Sequence, residues 1–171
     1  MNTLELQGLI EKCLHKKSNS LGVLACDELP SRQIRKLPAV LIVNTDPSTL
    51  PGAHWLAIYV TEDREGYFFD SFGNSPNFEG FPGNILSFLS KNCRKITYSV
   101  RQVQDISATT CGEHCIYFLS NIQKGYSYER VLNMYSYNPV CNDLMVCAYV
   151  KRIQPGLCRG HKFTCIQYAK H

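Results

Sequence analysis

Two strand-like segments joined by a short charged turn constrain this fold more than any other feature of the sequence. His54 to Thr61 and Gly66 to Phe72 are both rich in β-branched and aromatic residues, which favours extended structure. The four residues between them are all charged and suit a turn. The pattern predicts an antiparallel hairpin, and pairing of its strands would bring His54 close to Asp70.

Other segments predict helices and strands that complete a domain around this hairpin. The expected helices are Thr3 to Cys13, a helix around Leu86 to Leu89, Gly112 to Asn121, and Tyr126 to Asn133. The expected strands are Leu37 to Asn44 and Ile96 to Val103, whereas Leu21 to Pro30 and Thr45 to Gly52 have the composition of loops. The order of elements predicts an α+β domain with a central mixed or antiparallel sheet flanked by helices.

The composition is typical of one globular domain. The 171 residues are 44% hydrophobic and 19% charged, without repeats or a Gly/Ser linker, so we expect a single domain over residues 1–171. The longest apolar runs, such as Ala39 to Val43, are strand-sized, and we expect no membrane segment. Residues 1–12 include Glu5 and Glu11 and lack a basic leader. We therefore expect an intracellular protein that is not secreted.

One cysteine differs from the others in its surroundings. The chain has nine cysteines, an odd number in a chain large enough to fold without disulfides, so we expect most of them to be reduced and packed. Cys111 instead precedes the helical pattern that begins at Gly112. Unpaired N–H groups and the helix dipole favour an anion there, as a reactive thiolate requires. A packed structural cysteine remains the alternative.

A nucleophilic cysteine also needs a base and a group that orients this base. His54 is the candidate base because it lies at a loop-to-strand junction, whereas His114 belongs to the same predicted helix as Cys111. Asp70 is the candidate orienting acid, although an aspartate that only caps a turn would explain its position equally well. The remaining histidines are His15, in a Lys-rich segment, His161 and the last residue, His171.

An amide donor is available for the oxygen that becomes negative during attack on a carbonyl. Gln104 lies seven positions before Cys111, and loss of one such donor typically costs roughly a hundred- to a thousandfold in rate. Gln102 is the neighbouring alternative, and either glutamine could simply be a surface residue. The backbone N–H of Cys111 would be the second donor. This chemistry requires neither a metal nor an organic cofactor.

The order of these residues resembles a known family of proteases. His54-Trp55, the segment from Asp70 to Gly73, Gln104 and Cys111-Gly112 are similar in identity and spacing to the motifs of the adenovirus-type processing proteases, or adenains. Adenains and their relatives occur in DNA viruses and virus-like transposons and are related to SUMO and ubiquitin-like proteases. The resemblance implies a papain-like or adenain-like cysteine protease fold.

The resemblance also implies a role for each matched residue. Cys111 would be the nucleophile, His54 the general base, Asp70 the orienting acid where adenain has glutamate, and Gln104 the oxyanion donor. Trp55 and Gly112 would then contact the substrate, the latter because a glycine beside the sulfur allows another chain to approach closely.

The family implies substrates, partners and a location as well. The expected substrates are precursor proteins of a virus or virus-like element, cleaved at Gly-containing sites such as Gly-Gly by a monomer. If the protein is viral, the expected locations are the virion and the infected host cell. The chain has only about sixty residues after Cys111, so the activating peptide of adenain is not transferred to it.

DNA is a second partner that the resemblance implies, as an activator. The net charge is +4, and after Asp143 the charged residues are all basic. We single out five of them as candidate phosphate contacts: Lys151, Arg152, Arg159, Lys162 and Lys170. A solvated basic surface would explain the same pattern without any nucleic acid.

Other functions fit part of the same pattern. An isopeptidase that removes SUMO or ubiquitin would use the same catalytic residues, and an acetyltransferase or an inactive scaffold could share the fold. A zinc-stabilised nucleic-acid-binding or interaction module would need ligands near the carboxyl terminus. Its candidate ligands are Cys141, Cys147, Cys158, His161 and Cys165, at irregular intervals that do not match the paired spacing of common zinc sites.

Overall fold

Five α-helices, one short 3₁₀ helix (Cys26–Glu28) and five strands form the described part of the chain, residues 1–13, 18–31 and 33–155 of a computed structural model. The helices are α1 (Thr3–Cys13), α2 (Gly83–Asn92), α3 (Cys111–Gln123), α4 (Tyr128–Asn133) and α5 (Pro139–Ile153). The strands are β1 (Asn19–Ala25), β2 (Ala39–Asn44), β3 (Trp55–Val60), β4 (Glu65–Phe69) and β5 (Lys95–Thr97). The predicted α+β class is confirmed.

The five strands form one mixed sheet in the order β1-β2-β3-β4-β5. Strands β2, β3 and β4 pair antiparallel, whereas the edge strands β1 and β5 each run parallel to their neighbour. The expected central sheet is therefore present, and it is mixed rather than purely antiparallel.

The predicted hairpin consists of β3 and β4 and determines where the candidate site lies. Ala57 pairs with Phe69 at its open end. His54 immediately precedes β3 and Asp70 immediately follows β4, so both residues extend from the same end of the hairpin. The predicted proximity of these two side chains is confirmed.

Helices cover both faces of the sheet. Successive strand residues point to opposite faces, and in β2 residues on both faces are apolar and buried. On one face, Val40 and Ile42 of β2 pack in a core with α1, α3 and α5. On the other face, Leu41 and Val43 pack in a second core with α2. Helix α3 lies in the first core, where Phe118 stacks on Phe69 with ring centroids 4.5 Å apart. This contact holds the helix that begins at Cys111 against the hairpin.

The expectation of a loop over Leu21 to Pro30 was wrong for its first half, which forms β1. Gly22 has a φ of 89°, and the pairing of β1 with β2 shifts register between Ser20 and Gly22. A glycine inside a strand weakens the sequence signal and marks this kind of bulge. The tertiary pairing with β2 therefore outweighs the weak local pattern.

The predicted strand from Ile96 to Val103 was too long, because β5 ends at Thr97. The next residues lie against the loop after β4, where a Cβ atom on Gly73 would be 2.7 Å from the carbonyl oxygen of Val100. Close packing against Gly73, which has a φ of 77°, takes this segment away from the sheet. It continues irregularly as far as Cys111.

Helix α5 was not predicted, although its start has a clear signal in the sequence. The Asn138 side chain accepts hydrogen bonds from the backbone N–H groups of Val140 and Cys141, and Pro139 occupies the first turn. Asparagine before proline is a favoured way to begin a helix. Among the helices of the described ranges, none has the length and apolar character of a membrane span.

Candidate active site

His54 and Asp70 form a short, partly buried pair. The Nε2 atom of His54 lies 2.6 Å from Oδ1 of Asp70, and Asp70 is only 3% exposed. The same carboxylate accepts hydrogen bonds from the backbone N–H groups of Phe72 and Asn74, both at 3.0 Å, and from Nδ2 of Asn74 at 2.8 Å. These donors compensate the cost of burying a charge and fix the carboxylate that orients the imidazole.

The imidazole of His54 interacts with Cys111 as well as with Asp70. Burial lowers the pKa of His54, but hydrogen bonds to Asp70 and Cys111 and the charges of both groups outweigh it and raise this pKa to about 9. Since Nε2 faces Asp70, Nδ1 is the ring nitrogen left for the sulfur. The ring also contacts Phe72, with centroids 4.9 Å apart. A protonated His54 is therefore favoured at neutral pH.

Cys111 is the first residue of α3 and is 9% exposed. Thr110 occupies the position before it without a side-chain capping bond to the helix. The first N–H groups of a helix lack intrahelical partners, so the sulfur lies where backbone donors and the helix dipole stabilise negative charge. The structure thus brings His54, Asp70 and Cys111 together, as the sequence pattern predicts.

Gln104 is buried and held at both ends of its amide. Its Oε1 atom accepts a hydrogen bond of 2.6 Å from the hydroxyl of Ser71, and its Nε2 atom donates one of 2.7 Å to the carbonyl oxygen of Ala108. An amide nitrogen carries two hydrogens, so one can hold the side chain while the other serves an incoming oxyanion. Gln102, the neighbouring alternative, donates its own amide to the carbonyl oxygen of Gln104.

Trp55 and Gly112 both pack against the amino-terminal segment of the chain. The indole N–H of Trp55 donates to the carbonyl oxygen of Met1 at 3.3 Å. A Cβ atom on Gly112 would lie 3.1 Å from Leu6 and 3.3 Å from the Cβ atom of Met1. The small size of Gly112 therefore has a packing reason, and contact of either residue with substrate stays a prediction.

Two side chains next to Asp70 belong to the candidate site but were not predicted. Asn74 binds Asp70 through both its backbone and its side chain, and Ser71 binds Gln104. The available signal was Asp70 itself followed by Ser71, Gly73 and Asn74, a composition that is typical of Asx-type turns. It indicates a turn, but it does not reveal that Ser71 reaches a glutamine on a distant segment.

The nearest competing histidine has a different partner. His114 is fully buried in the first turn of α3, and its Nε2 atom lies 2.8 Å from Oδ1 of Asp143 on α5. This bond commits His114 to a second buried His–Asp pair. His15, His161 and His171 lie outside the described residues.

The described part of the basic segment lies at the end of α5. Lys151 and Arg152 are exposed in its last turn, and the Arg152 guanidinium carbon is 6.0 Å from the centre of the Tyr149 ring. The other predicted phosphate contacts, Arg159, Lys162 and Lys170, lie outside the described residues. DNA binding stays a prediction.

The proposed zinc ligands are only partly within the described residues. Cys141 is exposed and Cys147 is buried on α5, whereas Cys158, His161 and Cys165 lie outside. Across the described ranges, no group of three or more histidine, cysteine, aspartate or glutamate side chains is arranged to hold a metal ion.

Comparison with known proteins reveals a distant viral relative. The chain is 28% identical over 104 residues to "Cysteine protease S273R" of African swine fever virus (isolate Tick/Malawi/Lil 20-1/1983). The match covers 54% of this chain and 36% of the viral protein. No family model matches the chain. The chain is therefore similar to a viral cysteine protease, and the narrower resemblance to adenains stays a prediction.

Proposed function

We propose that this protein is a cysteine endopeptidase of viral type, with Cys111 as nucleophile. The observation that carries the proposal is the imidazole of His54, which binds the buried Asp70 at 2.6 Å and also interacts with Cys111. Cysteine proteases need a thiol, a base that contacts the thiol, and an acid that orients the base. The distant likeness to a viral cysteine protease supports the same reaction.

The first half of the proposed reaction forms an acyl-enzyme. His54 takes the proton of Cys111, and the thiolate adds to the carbonyl carbon of the scissile peptide bond. The resulting oxyanion accepts hydrogen bonds from the Cys111 backbone N–H and the Nε2 atom of Gln104. His54 then gives its proton to the leaving amine as the C–N bond breaks. Asp70 keeps the ring oriented and stabilises its positive charge.

The second half regenerates the enzyme. A water molecule replaces the leaving amine, and His54 removes a proton from it as it attacks the thioester. The C–S bond breaks, the carboxylic acid product leaves, and the proton returns to the sulfur or remains on His54. A pKa of about 9 for His54 favours the protonated imidazole at neutral pH, which is the form that donates a proton to the leaving amine.

We infer Gly-containing cleavage sites as the substrate class. The motif resemblance to adenains supports this inference, since adenain-type proteases favour substrates with small residues next to the nucleophile. Trp55 and Gly112, which adjoin His54 and Cys111 in sequence, are the proposed substrate contacts. We further propose that the substrates are precursor proteins of a virus or virus-like element, that the enzyme acts as a monomer in the virion or host cell, and that DNA activates it.

Cleavage of defined peptides by matched cysteine variants tests the proposed chemistry. Fluorogenic peptides with Gly-Gly before the scissile bond should be hydrolysed by wild type and by Cys141→Ser, which alters an exposed cysteine, but not by Cys111→Ser or His54→Ala. Hydrolysis by Cys111→Ser at the wild-type rate would exclude the proposal. Turnover of ubiquitin-like substrates alone would instead assign the site to an isopeptidase.

A further inference from the structure

We propose that Asn142 and Asp143 of α5 are positioning residues that hold Gln104 in place relative to Cys111. The inference rests on the proposed function, and it extends the candidate site to a helix that contributes no reacting group. Both residues are only 2% exposed, and each makes at least one side-chain hydrogen bond to the irregular segment that runs from Val103 to Thr110.

Asn142 holds the residue before Gln104. Its Nδ2 atom donates a hydrogen bond of 2.9 Å to the carbonyl oxygen of Val103, and a second of 3.0 Å to the carbonyl oxygen of Ser136. Its Oδ1 atom accepts from the backbone N–H of Ser136 at 2.8 Å. The hydroxyl of Ser136 donates a further bond of 3.0 Å to the same Oδ1 atom. Four bonds therefore fix the orientation of this amide: three go to Ser136, and the fourth fixes the backbone directly before Gln104.

Asp143 holds the residue after Gln104 and the residue before Cys111. Its Oδ2 atom accepts the backbone N–H of Asp105 at 3.0 Å. Its Oδ1 atom accepts the hydroxyl of Thr110 at 2.5 Å and lies 2.8 Å from Nε2 of His114. One buried carboxylate thus connects the segment that carries the oxyanion donor to the first turn of the nucleophile helix.

Regular secondary structure does not provide this connection. Residues 98–110 form no helix or strand, so the backbone around Gln104 needs partners from elsewhere to be rigid. On the hairpin side, the carbonyl oxygen of Ser71 accepts the N–H groups of Val103 and Gln104. From α5, Asn142 and Asp143 supply further bonds, to Val103, Asp105 and Thr110. Gln104 is therefore held from both sides, as precise placement of an oxyanion donor requires.

Packing alone does not account for two adjacent buried polar side chains on α5. Val146 and Val150 of the same helix are fully buried in the core shared with α3, so apolar contacts already hold α5 in position. Buried polar groups cost free energy unless they are paired. Three side-chain bonds of Asn142 go to Ser136. Its fourth bond goes to Val103, and all three side-chain bonds of Asp143 go to the Gln104 segment and the start of α3, which indicates a role in the candidate site.

A kinetic comparison of two buried asparagines tests this inference. Asn142→Ala is compared with Asn92→Ala, which removes a buried asparagine whose bonds go to Ile34 and Phe88 on the other face of the sheet. The measurements are kcat and KM on a fluorogenic Gly-Gly peptide per titrated active site, and the rate of Cys111 alkylation by iodoacetamide. Alkylation needs the thiolate but no oxyanion donor, so it separates positioning of Gln104 from loss of the nucleophile.

We expect Asn142→Ala to lower kcat about tenfold to a hundredfold, approaching the loss caused by removing an oxyanion donor, with a smaller change in KM and an unchanged alkylation rate. Asn92→Ala should lose stability but keep its kcat per active site. Because Asn142 acts through Gln104, adding Asn142→Ala to Gln104→Ala should lower kcat little further. If Asn142→Ala does not fold, the nearly isosteric and uncharged Asn142→Leu, which also lacks the Nδ2 donor, takes its place.

Two negative outcomes are distinguishable. If wild type is active but Asn142→Ala keeps a wild-type kcat per site, or if its effect simply adds to that of Gln104→Ala, the positioning role is excluded and the proposed function stands. If wild type hydrolyses no such peptide and Cys111 reacts no faster than the exposed Cys141, the proposed function fails and the positioning role fails with it.

Discussion

Ser71 binds Gln104 through both its backbone and its side chain. The Ser71 carbonyl oxygen accepts the backbone N–H of Gln104 at 3.1 Å, and its hydroxyl donates to Oε1 of the same glutamine at 2.6 Å. Since Ser71 follows Asp70 directly, the acid behind His54 and the proposed oxyanion donor share one rigid connection. Displacement of either residue is therefore transmitted to the other.

Replacing Ser71 tests this connection. In Ser71→Ala the Gln104 amide loses the bond that fixes its oxygen, and we expect kcat on a Gly-Gly peptide to fall about tenfold, since a neutral hydrogen bond contributes roughly 0.5–1.5 kcal/mol. Ser75→Ala, which removes a local bond to Asn77, is the matched control and should keep the wild-type kcat. Equal rates for the two variants would show that the Ser71 hydroxyl does not place Gln104.

The pKa of His54 leads to a prediction for the pH dependence of activity. Asp70 and Cys111 raise this pKa to about 9 despite burial, and His54 must be protonated to release the amine, so kcat should fall as pH rises through about 9. Asp70→Asn removes a negative partner, so the pKa decreases and the loss of activity moves to lower pH. A pH–rate profile of both proteins checks this, and an unshifted alkaline limb in Asp70→Asn would contradict it.

The same pKa predicts how stability depends on pH. A pKa raised above the ordinary 6.5 contributes stability that is fully present below pH 6.5 and is lost as pH rises through about 9. As the pH rises from 6.5 to about 9, the unfolding free energy of wild type should therefore decrease relative to that of Asp70→Asn. Urea denaturation at pH 6 and at pH 9.5 measures the difference, and a constant gap between the two proteins would be the opposing result.

Asn74 should contribute to both stability and rate. Asn74→Ala removes the 2.8 Å bond from Nδ2 to the Asp70 carboxylate, and a hydrogen bond to a charged group contributes roughly 1.5–3 kcal/mol. We expect a loss of unfolding free energy in this range, together with a lower kcat because the carboxylate can turn away from His54. The exposed Asn77→Ala serves as the control in chemical denaturation and peptide hydrolysis, and it should resemble wild type in both.

Alanine substitutions at two glycines distinguish the cost of backbone strain from the cost of steric overlap. Gly73 and Gly125 have φ values of 77° and 91°, but a Cβ atom on Gly73 would lie 2.7 Å from the Val100 carbonyl oxygen, whereas nothing lies within 4 Å of one on Gly125. Gly125→Ala should cost about 1 kcal/mol of stability from strain alone, and Gly73→Ala about 1–3 kcal/mol more from overpacking. Denaturation with urea measures both, and similar losses would contradict the predicted overlap.

The proposed contact with DNA predicts a change in salt dependence. Replacing Lys151 and Arg152 together by glutamate should weaken binding of duplex DNA and reduce the slope of log K against log salt by about two, since each phosphate contact contributes about 0.9. Arg35 and Lys36, another adjacent and exposed basic pair, provide the matched double variant. Equal DNA affinities for the two double variants would exclude a specific contribution from the end of α5.

Local patterns in the sequence were sufficient to predict part of the fold and of the candidate site. The hairpin follows from strand propensity and a charged turn, and the proximity of His54 and Asp70 follows from the hairpin. The helix after Cys111 follows from its apolar periodicity. These predictions succeeded because each depends on contacts that are close in sequence or on antiparallel pairing.

The remaining features depend on contacts between distant segments. Strand β1 contains a bulge at Gly22 and is stabilised by pairing with β2, so its local pattern was too weak. Asn142 and Asp143 are separated from Gln104 by more than thirty residues, and their bonds exist only because α5 packs beside α3. Nothing in the local sequence of α5 reveals which backbone groups these side chains meet.

The arrangement of hairpin and helix makes the proposed activity depend on complete tertiary docking. His54 and Asp70 belong to one hairpin, whereas Cys111 begins a helix that is held against it by the stacked rings of Phe69 and Phe118. A folding intermediate with an intact hairpin but an undocked helix would leave the sulfur without its imidazole. During its own synthesis, the protein would therefore acquire the proposed protease activity only after the last core contacts close.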